Sequence, residues 1–478
     1  MRNDSAAAAA AAVASSRGTR NSASRSTYAS SSSTSPSSSA SASPSRSSPR
    51  LGQLRLSAHD VNLSASLSMG STEEKVHAYA RLSDSFGGPH GDPHDEYHNL
   101  VFEGGGVKGL SCVGAIEVME ERGILTTIQR VAGTSAGAIV STPIAFGIPA
   151  SEIRQIMLDT PYKRFTESRF GVLGIVWRLL WGHRGVFEGE YITQWIKENI
   201  ANFVSFHYSK RDRQGYPTNS SYENFTFRQL HERVVTQRAT STTEPNKYKD
   251  LYIIATDITH QRPEVFSYET TPDWPIWEAV RASMSIPVVF DPFQKEDLYG
   301  DRIDFIDGGL TWNYPINLFD STEYYHENQR QMMLRESTHM EPPTPTHYMK
   351  REMQRHRSQP CLNTQTIGVK IENEDEIQRE KGDAKPTKLA NIMDLALATY
   401  DFTAYMANKE RLHPYDAERS CTINCGDIRA TDFNISVEQK RFLMHQGRTA
   451  MTAFLDRQRE IKDQTELYAP FGDHADYY

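Results

Sequence analysis

Two strand–turn–helix units follow each other between Asn99 and Gly137, and this stretch constrains the fold more than any other part of the 478-residue chain. In each unit, a short apolar segment leads into a glycine-bearing turn and then into a segment with helical periodicity. A strand–helix–strand–helix order at this spacing predicts parallel strands joined by crossover helices. We therefore expect an α/β fold with a mostly parallel central sheet.

The first turn, Gly-Gly-Gly-Val-Lys-Gly at residues 104–109, presents backbone amides at the start of a helix. It matches the G-x-G-x-x-G pattern of dinucleotide sites, but a serine turn stands where the acidic residue that closes the next strand should be. The spacing of a Walker phosphate loop is absent as well. We therefore interpret this turn as an oxyanion hole. Lys108 either adds positive charge near an oxyanion or a lipid phosphate, or is a solvated lysine at the helix start.

The second turn, Gly-Thr-Ser-Ala-Gly at residues 133–137, is a G-x-S-x-G sequence between an apolar strand and a helix. Small residues around a serine allow the tight strand-to-helix bend that exposes a nucleophilic hydroxyl. The helix N-terminus also favours negative charge that develops at the serine. A glycine-rich anion site beside an exposed serine is suited to acyl transfer, with Ser135 as the nucleophile.

Ser135 needs a general base, and Asp307 is the strongest candidate. Asp307 closes an apolar strand, and Gly308-Gly309 allows a sharp turn behind it. We expect the carboxylate at the sheet edge that carries Ser135, where a dry site would raise its proton affinity enough for it to act as a base. The alternatives are that Asp307 only begins a turn, or that a histidine, His413 or His445 by chain order, completes a Ser-His-Asp triad.

The ends of the chain differ in composition from its middle. Residues 1–95 are rich in Ser and Ala and nearly free of aromatic side chains, so we expect a disordered tail. Between Met1 and His59, the arginines and the scarcity of acidic residues also fit an organelle transit peptide. We assign residues 96–458 to one domain and 459–478 to a C-terminal tail. Polar stretches at about 205–223 and 323–363 are interpreted as insertions.

Composition argues against several classes of protein. A formal net charge of -8 and a pI of about 6.1 argue against a nucleic-acid binder. The cysteines are too few and too scattered for a disulfide scaffold or a zinc site, so we expect reduced thiols and no metal. No apolar run approaches the ~18–20 residues of a membrane span. The four cysteines are Cys112, Cys361, Cys421 and Cys425.

Hydrophobic periodicity predicts the remaining elements. Strands are predicted at 100–103, 130–132, 251–255, 302–306 and 366–371, and helices at 109–122, 136–146, 190–199, 277–284, 389–410 and 437–457. The dense apolar and aromatic segment 165–187 is either a helix packed on the sheet, or a lid or membrane-facing patch.

The three motifs together resemble the patatin-like phospholipase family, whose pattern is a glycine-rich oxyanion loop, then G-x-S-x-G, then a late D-G-[AG]. The motifs stand in that order at 104–109, 133–137 and 307–309. The resemblance spans about residues 98–320 and, more loosely, 365–458. Glu103 stands where many members carry Asp, a departure that we regard as peripheral.

The resemblance implies a three-layer α/β/α fold and a Ser-Asp dyad, with Ser135 as the nucleophile and Asp307 as the proton acceptor. Backbone amides would form the oxyanion hole, and no metal or organic cofactor is implied. The implied oxyanion-hole residues are Gly104, Gly105, Gly106 and Ala136. The other motif residues are Lys108, Gly109, Gly133, Gly137, Gly308 and Gly309.

The implied activity is that of a lipid acyl hydrolase. The acyl chain of a membrane phospholipid or galactolipid would pass to Ser135, and water would release it as a fatty acid. The alternatives are a triacylglycerol lipase or transacylase, or a non-catalytic lipid-binding protein on the same fold. We expect a glycerolipid substrate, no nucleic-acid partner, and a cytoplasmic protein that associates peripherally with a membrane or lipid-droplet surface. An organelle location directed by the N-terminal tail is the alternative.

Overall fold

A computed structural model describes residues 97–167, 185–207, 222–240, 247–297, 299–325, 360–383, 386, 389–390, 392–409 and 411–468. The predicted N-terminal tail, most of the apolar segment 165–187 and most of the two predicted insertions lie outside the described residues. At the ends of the apolar segment, Phe165 is buried and residues 185–187 form a short strand.

The described residues form ten strands and ten α-helices. The strands are β1 Asn99–Phe102, β2 Arg130–Thr134, β3 Gly185–Phe187, β4 Asp250–Asp257, β5 Arg262–Phe266, β6 Val288–Phe290, β7 Phe293–Glu296, β8 Arg302–Asp307, β9 Thr366–Glu372 and β10 Ser420–Asn424. The helices are α1 Leu110–Glu121, α2 Ala136–Ala145, α3 Ala150–Asp159, α4 Glu190–Ser205, α5 Phe227–Thr240, α6 Ile276–Ser283, α7 Gly309–Trp312, α8 Glu374–Glu380, α9 Ile392–Lys409 and α10 Val437–Tyr468.

One eight-stranded sheet organises the described residues, in the order β10-β9-β1-β2-β4-β8-β7, with β5 paired to β4. The five strands from β10 to β4 are parallel, whereas β5, β8 and β7 each pair antiparallel to their neighbours. The turns that follow β1 and β2 leave the sheet side by side, because Phe102 lies opposite Gly133. The mostly parallel α/β sheet predicted from the sequence is confirmed.

Successive strand residues point to opposite faces of the sheet, and a separate apolar core covers each face. Leu100 and Leu251 belong to a large core shared with α1 to α6 and α10. Val101 and Tyr252, one position further along each strand, belong to a second core on the other face. Short helical turns between Trp312 and Tyr324 cover that second face. The sheet is therefore flanked by helical layers of unequal thickness.

The register shows how β8 enters the sheet. β4 pairs with β2 along 250–254 and with β5 along 253–257, so these two strands must lie on opposite edges of β4. β8 pairs with 255–257, where β5 already occupies one edge, and it therefore lies on the edge that β2 uses. The C-terminal ends of β2 and β8 consequently meet end to end at Ile254 and Ala255 of β4.

The predicted elements agree with the structure where their periodicity is strong. Each predicted strand and helix is present, most within a few residues of its expected bounds. Helix α4 continues to Ser205, and α10 continues to Tyr468, beyond the predicted domain end at 458. Among the described residues, no helix combines the length and the apolar character that crossing a membrane requires.

Candidate functional site

Ser135 occupies a strained bend between β2 and α2. Its backbone has φ 52° and ψ -120°, a conformation that residues other than glycine rarely adopt. The flanking glycines are required by close approach: a Cβ on Gly133 would collide with the carbonyl oxygen of Gly137, and one on Gly137 would lie 2.5 Å from the carbonyl oxygen of Phe102. The G-x-S-x-G sequence thus folds as the tight bend that its small residues predicted.

Ser283 holds this bend against the sheet. The Ser135 amide donates a 2.7 Å hydrogen bond to Oγ of Ser283, whose hydroxyl donates to the Ile254 carbonyl at 2.5 Å. The Ser135 hydroxyl lies 3.7 Å from Sδ of Met284. Ser283 is the last residue of α6 and Met284 follows it, so the helix before the predicted Asp strand positions the bend from the other side.

Asp307 lies beside Ser135 because β2 and β8 meet end to end. The sequence analysis predicted this proximity from the carboxyl edge of parallel strands. That reason is wrong, because β8 runs antiparallel and stops after pairing with three residues of β4. Oδ1 of Asp307 accepts hydrogen bonds from the Gly309 amide at 2.6 Å and from the Tyr400 hydroxyl at 3.3 Å. Its Oδ2 has no hydrogen-bond partner among the described residues.

The carboxyl group of Asp307 is set for proton exchange near neutral pH. Burial raises the pKa of Asp307 to about 6, against smaller lowering effects from the Ser135 hydroxyl, the Gly309 amide and the Tyr400 hydroxyl. Ser135 and Asp307 are only 3% and 2% exposed. A carboxylate and a hydroxyl that share a dry site, with one carboxylate oxygen unsatisfied, can exchange a proton without competition from bulk water.

Helix α9 covers the Asp307 side of the site. Besides the hydrogen bond from Tyr400, the side chain of Asn408 accepts from the Asn313 amide at 2.6 Å and donates to the Gly309 carbonyl at 3.2 Å. Both residues project from the inner face of α9 onto the turn that follows Asp307. The sequence analysis predicted this helix but gave it no role at the site.

The glycine loop after β1 and the start of α2 together present three backbone amides suited to binding an anion. Gly106 and Ala136 begin helical turns, so their amides have no acceptor within their own helices. Within the described residues, neither these two amides nor the Gly105 amide donates a hydrogen bond. The Gly104 amide, in contrast, donates to the Asn313 carbonyl at 3.0 Å. The prediction that Gly104 contributes an oxyanion-hole amide is therefore wrong.

Glu103 anchors the start of this loop. The sequence analysis regarded this residue as peripheral, and that interpretation is wrong. Its carboxylate accepts hydrogen bonds from the Ile371 amide of β9 at 2.8 Å and from Nδ2 of Asn313 at 3.2 Å. Asn313 also donates to the Gly104 carbonyl at 3.1 Å. Burial raises the pKa of Glu103 to about 7, against lowering effects led by Lys370. Glu103 and Asn313 together fix Gly104 between β9 and the Asp307 turn.

Lys108 is a buried structural residue. Its Nζ donates to both carboxylate oxygens of Glu376 in α8, at 2.6 and 2.8 Å, and lies 3.4 Å from the Ile371 carbonyl. The side chain is 4% exposed, so the prediction of a solvated lysine is wrong. Its charge is already paired with Glu376, which leaves less of it for an oxyanion or a lipid phosphate.

The histidines proposed as alternative bases lie elsewhere. His413 begins the 3-10 turn Pro414–Ala417, where its Nδ1 accepts from the Tyr415 amide at 3.4 Å. His445 is exposed on α10. Neither is a hydrogen-bond partner of Ser135 or Asp307. Asp307 is therefore the titratable group that the structure brings to Ser135.

The cysteines do not belong to this site. All four are buried free thiols, and burial raises the pKa of each of them. Among the described residues, no cluster of three or more histidine, cysteine or carboxylate side chains could hold a metal ion.

Sequence reasoning missed the residues that support the site rather than those at its centre. Ser283, Asn313 and Tyr400 act on motifs from which they are distant in the chain, so no local spacing identifies them. Glu103 adjoins the glycine loop, but its partners Ile371 and Asn313 are distant. Glu103 was the one with a signal, because an acidic residue in a buried apolar strand end needs partners.

Comparison with known proteins gives three findings. The sequence pattern of a family described as patatin-like phospholipase matches residues 100–320, which include all three motifs. The chain is 29% identical over 232 residues to the uncharacterized protein YqhO of Bacillus subtilis (strain 168), covering 47% of this chain and 67% of YqhO. It is 23% identical over 266 residues to the probable lipid hydrolase 463L of Invertebrate iridescent virus 6, covering 53% of this chain and 73% of that protein.

Solved structures also show a similarity. The crystal structure of VipD from Legionella pneumophila aligns with a TM-score of 0.41 and 18% sequence identity, covering 76% of this chain and 67% of VipD.

Proposed function

The chain belongs to the patatin-like phospholipase family through residues 100–320, and from this premise we propose that it is a glycerolipid acyl hydrolase acting through Ser135 and Asp307. The observation that carries the proposal is the end-to-end meeting of β2 and β8. It brings a strained serine and a buried carboxyl with a raised pKa into one dry site. The name of one relative, a probable lipid hydrolase, supports the same class of reaction.

In the first step of the proposed reaction, Ser135 Oγ attacks the ester carbonyl while Asp307 accepts the hydroxyl proton. A rotation of the hydroxyl from Met284 toward the unsatisfied Oδ2 of Asp307 would form the required hydrogen bond. The negative charge that develops on the carbonyl oxygen would be stabilised by the unengaged amides of Gly105, Gly106 and Ala136.

The second half of the reaction reuses the same groups. The protonated Asp307 gives its proton to the departing alcohol, which leaves an acyl ester on Ser135. Water then attacks this ester while Asp307 accepts its proton, and Ser135 departs with a proton as the fatty acid is released. A carboxyl pKa of about 6 suits both directions of proton transfer near neutral pH.

We expect fatty-acid release from phospholipid or galactolipid vesicles, unaffected by a chelator. The measurement is the fatty acid released by the full chain from each of these and from a triacylglycerol emulsion. Release from triacylglycerol alone would replace the proposal with a lipase. Release of no fatty acid from any of the three would favour a lipid-binding protein.

We propose a lipid surface as the partner of the outer face of α9. Leu395, Phe402 and Met406 are 48%, 62% and 41% exposed, and helical geometry places them on one line. Tyr400 and Asn408 project from the opposite face toward Asp307 and its turn. The apolar line therefore lies on the solvent side of the helix that covers Asp307, as expected of a protein that works peripherally at a membrane.

Replacing Phe402 with serine should weaken binding to phospholipid vesicles about tenfold, because an interfacial aromatic side chain would lose its burial. The measurement is vesicle co-sedimentation in a Ser135→Ala background, which separates binding from hydrolysis. Phe442→Ser is the matched control, since Phe442 is 42% exposed on α10. Equal binding by both variants and the parent would contradict the assignment of α9 to the lipid surface.

We propose that the catalytic unit is the predicted domain, residues 96–458, extended to the end of α10 at Tyr468. Removal of residues 1–95 should leave kcat/KM within about twofold of the full chain, because a Ser- and Ala-rich segment has little apolar surface to contribute to a core. Ester hydrolysis and thermal unfolding of the two proteins test this. Loss of the fold on truncation would show that the tail is part of the domain.

A further inference from the structure

Helix α9 brings a phenolic hydroxyl to Asp307 from a part of the chain that none of the three motifs includes. Tyr400 is half-buried, and its hydroxyl donates to Oδ1 of Asp307 at 3.3 Å. Two helical turns further on, the Asn408 side chain accepts from the Asn313 amide at 2.6 Å and donates to the Gly309 carbonyl at 3.2 Å. Helix α9 is therefore docked on the turn after Asp307, and the phenol reaches the carboxyl from a fixed position.

Two donors converge on one oxygen of the Asp307 carboxyl. The Gly309 amide donates to the same Oδ1 as Tyr400, at 2.6 Å, whereas Oδ2 has no hydrogen-bond partner in the part of the chain that the structure describes. A carboxyl group held by one hydrogen bond can pivot about it, but two donors on the same oxygen restrict that motion. Oδ1 is therefore the anchored oxygen, and Oδ2 is left for the proton of Ser135.

The phenol occupies the space beside Gly309. An added Cβ at Gly309 would lie 2.8 Å from the Tyr400 hydroxyl and 2.8 Å from Oδ1 of Asp307, closer than side chains approach. Gly309 begins α7 and is not among the glycines with a positive φ, so its backbone does not require glycine. The absence of a side chain at this position is explained by the room that the Tyr400 hydroxyl and the carboxyl need.

The groups that face the Asp307 side chain come from three elements. Burial raises the pKa of Asp307 to about 6, and Ser135 after β2, the Gly309 amide of α7 and the Tyr400 hydroxyl of α9 each lower it. On β4, the Thr256 hydroxyl donates to the backbone carbonyl of Asp307 and leaves the carboxyl alone. Within the described residues, no charged side chain is among the groups that shift this pKa.

Tyr400 stays protonated while Asp307 titrates. Burial, followed by the Asp307 and Asp401 carboxylates, raises the pKa of Tyr400 well above its usual range. The phenol is therefore a donor over the whole pH range in which a carboxyl acts as a base. A donor to a carboxylate favours the ionised form, whereas burial alone favours the protonated form, which accepts no proton.

We propose that Tyr400 is a positioning residue for the general base: its phenol anchors Oδ1 of Asp307, leaves Oδ2 for the proton of Ser135 and stabilises the ionised carboxylate. The proposal rests on the proposed hydrolase function and adds a residue from outside the three motifs. Tyr400 acts through Asp307 and takes no proton in the reaction.

The experiment measures kcat/KM of the full chain for p-nitrophenyl butyrate between pH 4.5 and 9, with the uncatalysed rate subtracted. The acidic limb of the unmodified protein should have its midpoint near pH 6. Tyr400→Phe should raise this midpoint by about one pH unit, because one hydrogen bond to a carboxylate changes its ionisation about tenfold. At pH 6, the rate relative to that at pH 9 should therefore fall about fivefold in the variant.

Tyr405→Phe is the matched control, because it removes a phenolic hydroxyl from the same helix. The Tyr405 hydroxyl accepts from Nζ of Lys409 at 3.3 Å and is not a partner of Asp307. The midpoint of this variant should stay near pH 6.

Gly309→Ala tests the same hydrogen bond from the other side, because the added methyl group needs the space of the Tyr400 hydroxyl. Its midpoint should also rise. Combining Gly309→Ala with Tyr400→Phe should add little to the rise of either variant, because both substitutions remove one interaction.

The outcomes separate this proposal from the proposed function. A midpoint that stays near pH 6 in Tyr400→Phe, with or without a lower rate at every pH, would overturn the role of Tyr400 and keep the Ser135–Asp307 mechanism. Failure of the unmodified protein to hydrolyse the ester would overturn both. Thermal unfolding shows whether each variant is folded, and if Tyr400→Phe is not, the midpoint of Gly309→Ala decides.

Discussion

Replacing Ser135 with alanine should lower ester hydrolysis by a factor of about 10⁴ or more, because the proposed reaction then has no nucleophile. The fold should persist, since the backbone hydrogen bond from residue 135 to Ser283 does not involve the Ser135 side chain. Alanine tolerates the positive φ of this bend about as well as serine does. Fatty-acid release and thermal unfolding of the purified variant are the two measurements.

The matched control for this prediction is Ser141→Ala on the same helix. Ser141 is fully buried, and its hydroxyl donates to the Ala138 carbonyl at 3.2 Å, so the substitution removes a comparable side chain away from Asp307. The Ser141 variant should keep its activity. An alkyl fluorophosphonate should label the parent and the Ser141 variant but not the Ser135 variant. Ester hydrolysis by the Ser135→Ala variant at the wild-type rate would contradict the proposed mechanism.

The centre of this site could be predicted from the sequence because its motifs are local. Gly133, Ser135 and Gly137 are close in the chain, and the collisions that exclude larger side chains occur within that turn and the strand beside it. Helices α1 and α2 could be predicted from local sequence as well, although nearly all of their residues are buried and not those of one face alone.

The arrangement around that centre depends on long-range pairing, which single-sequence patterns do not contain. Whether β8 runs parallel or antiparallel is determined by its partners at 255–257, and only this register shows why Asp307 reaches Ser135. The Gly104 amide looks free in the sequence, because its acceptor is 209 residues away at Asn313. Lys108 looks solvated for the same reason, since Glu376 lies on a distant helix.

Several corrections share one physical origin. Buried polar groups need partners, and here those partners come from β9, α8 and the turn after β8. Glu103, Lys108 and Asn313 together tie the glycine loop to these elements. The amides of Gly105 and Gly106 can then remain open without the loop collapsing onto them, which is the preorganisation that anion stabilisation requires.

Replacing Asp307 with asparagine should lower kcat/KM by about 10²- to 10⁴-fold, the usual contribution of a general base. In the parent, kcat/KM should be constant well above pH 6 and fall tenfold per unit below it, because only the ionised carboxylate accepts a proton and its pKa is about 6. The variant should lose this pH dependence. Initial rates on a soluble short-chain ester between pH 4.5 and 8.5 measure both effects.

The same substitution should stabilise the fold at neutral pH, which distinguishes a functional residue from a structural one. The pKa of Asp307 is raised from 3.8 to about 6 by folding, so the ionised form opposes folding, and this cost is absent below pH 3.8 and complete above pH 6. Two units correspond to about 3 kcal/mol. Asparagine keeps the Oδ1 acceptor for Gly309 and carries no charge, so the variant should be more stable than the parent at pH 8 and lose that advantage near pH 4. Thermal unfolding at both pH values tests this. Wild-type activity of the Asp307→Asn variant would show that another residue is the general base. Lower stability of this variant at pH 8 would show that the carboxylate supports the fold.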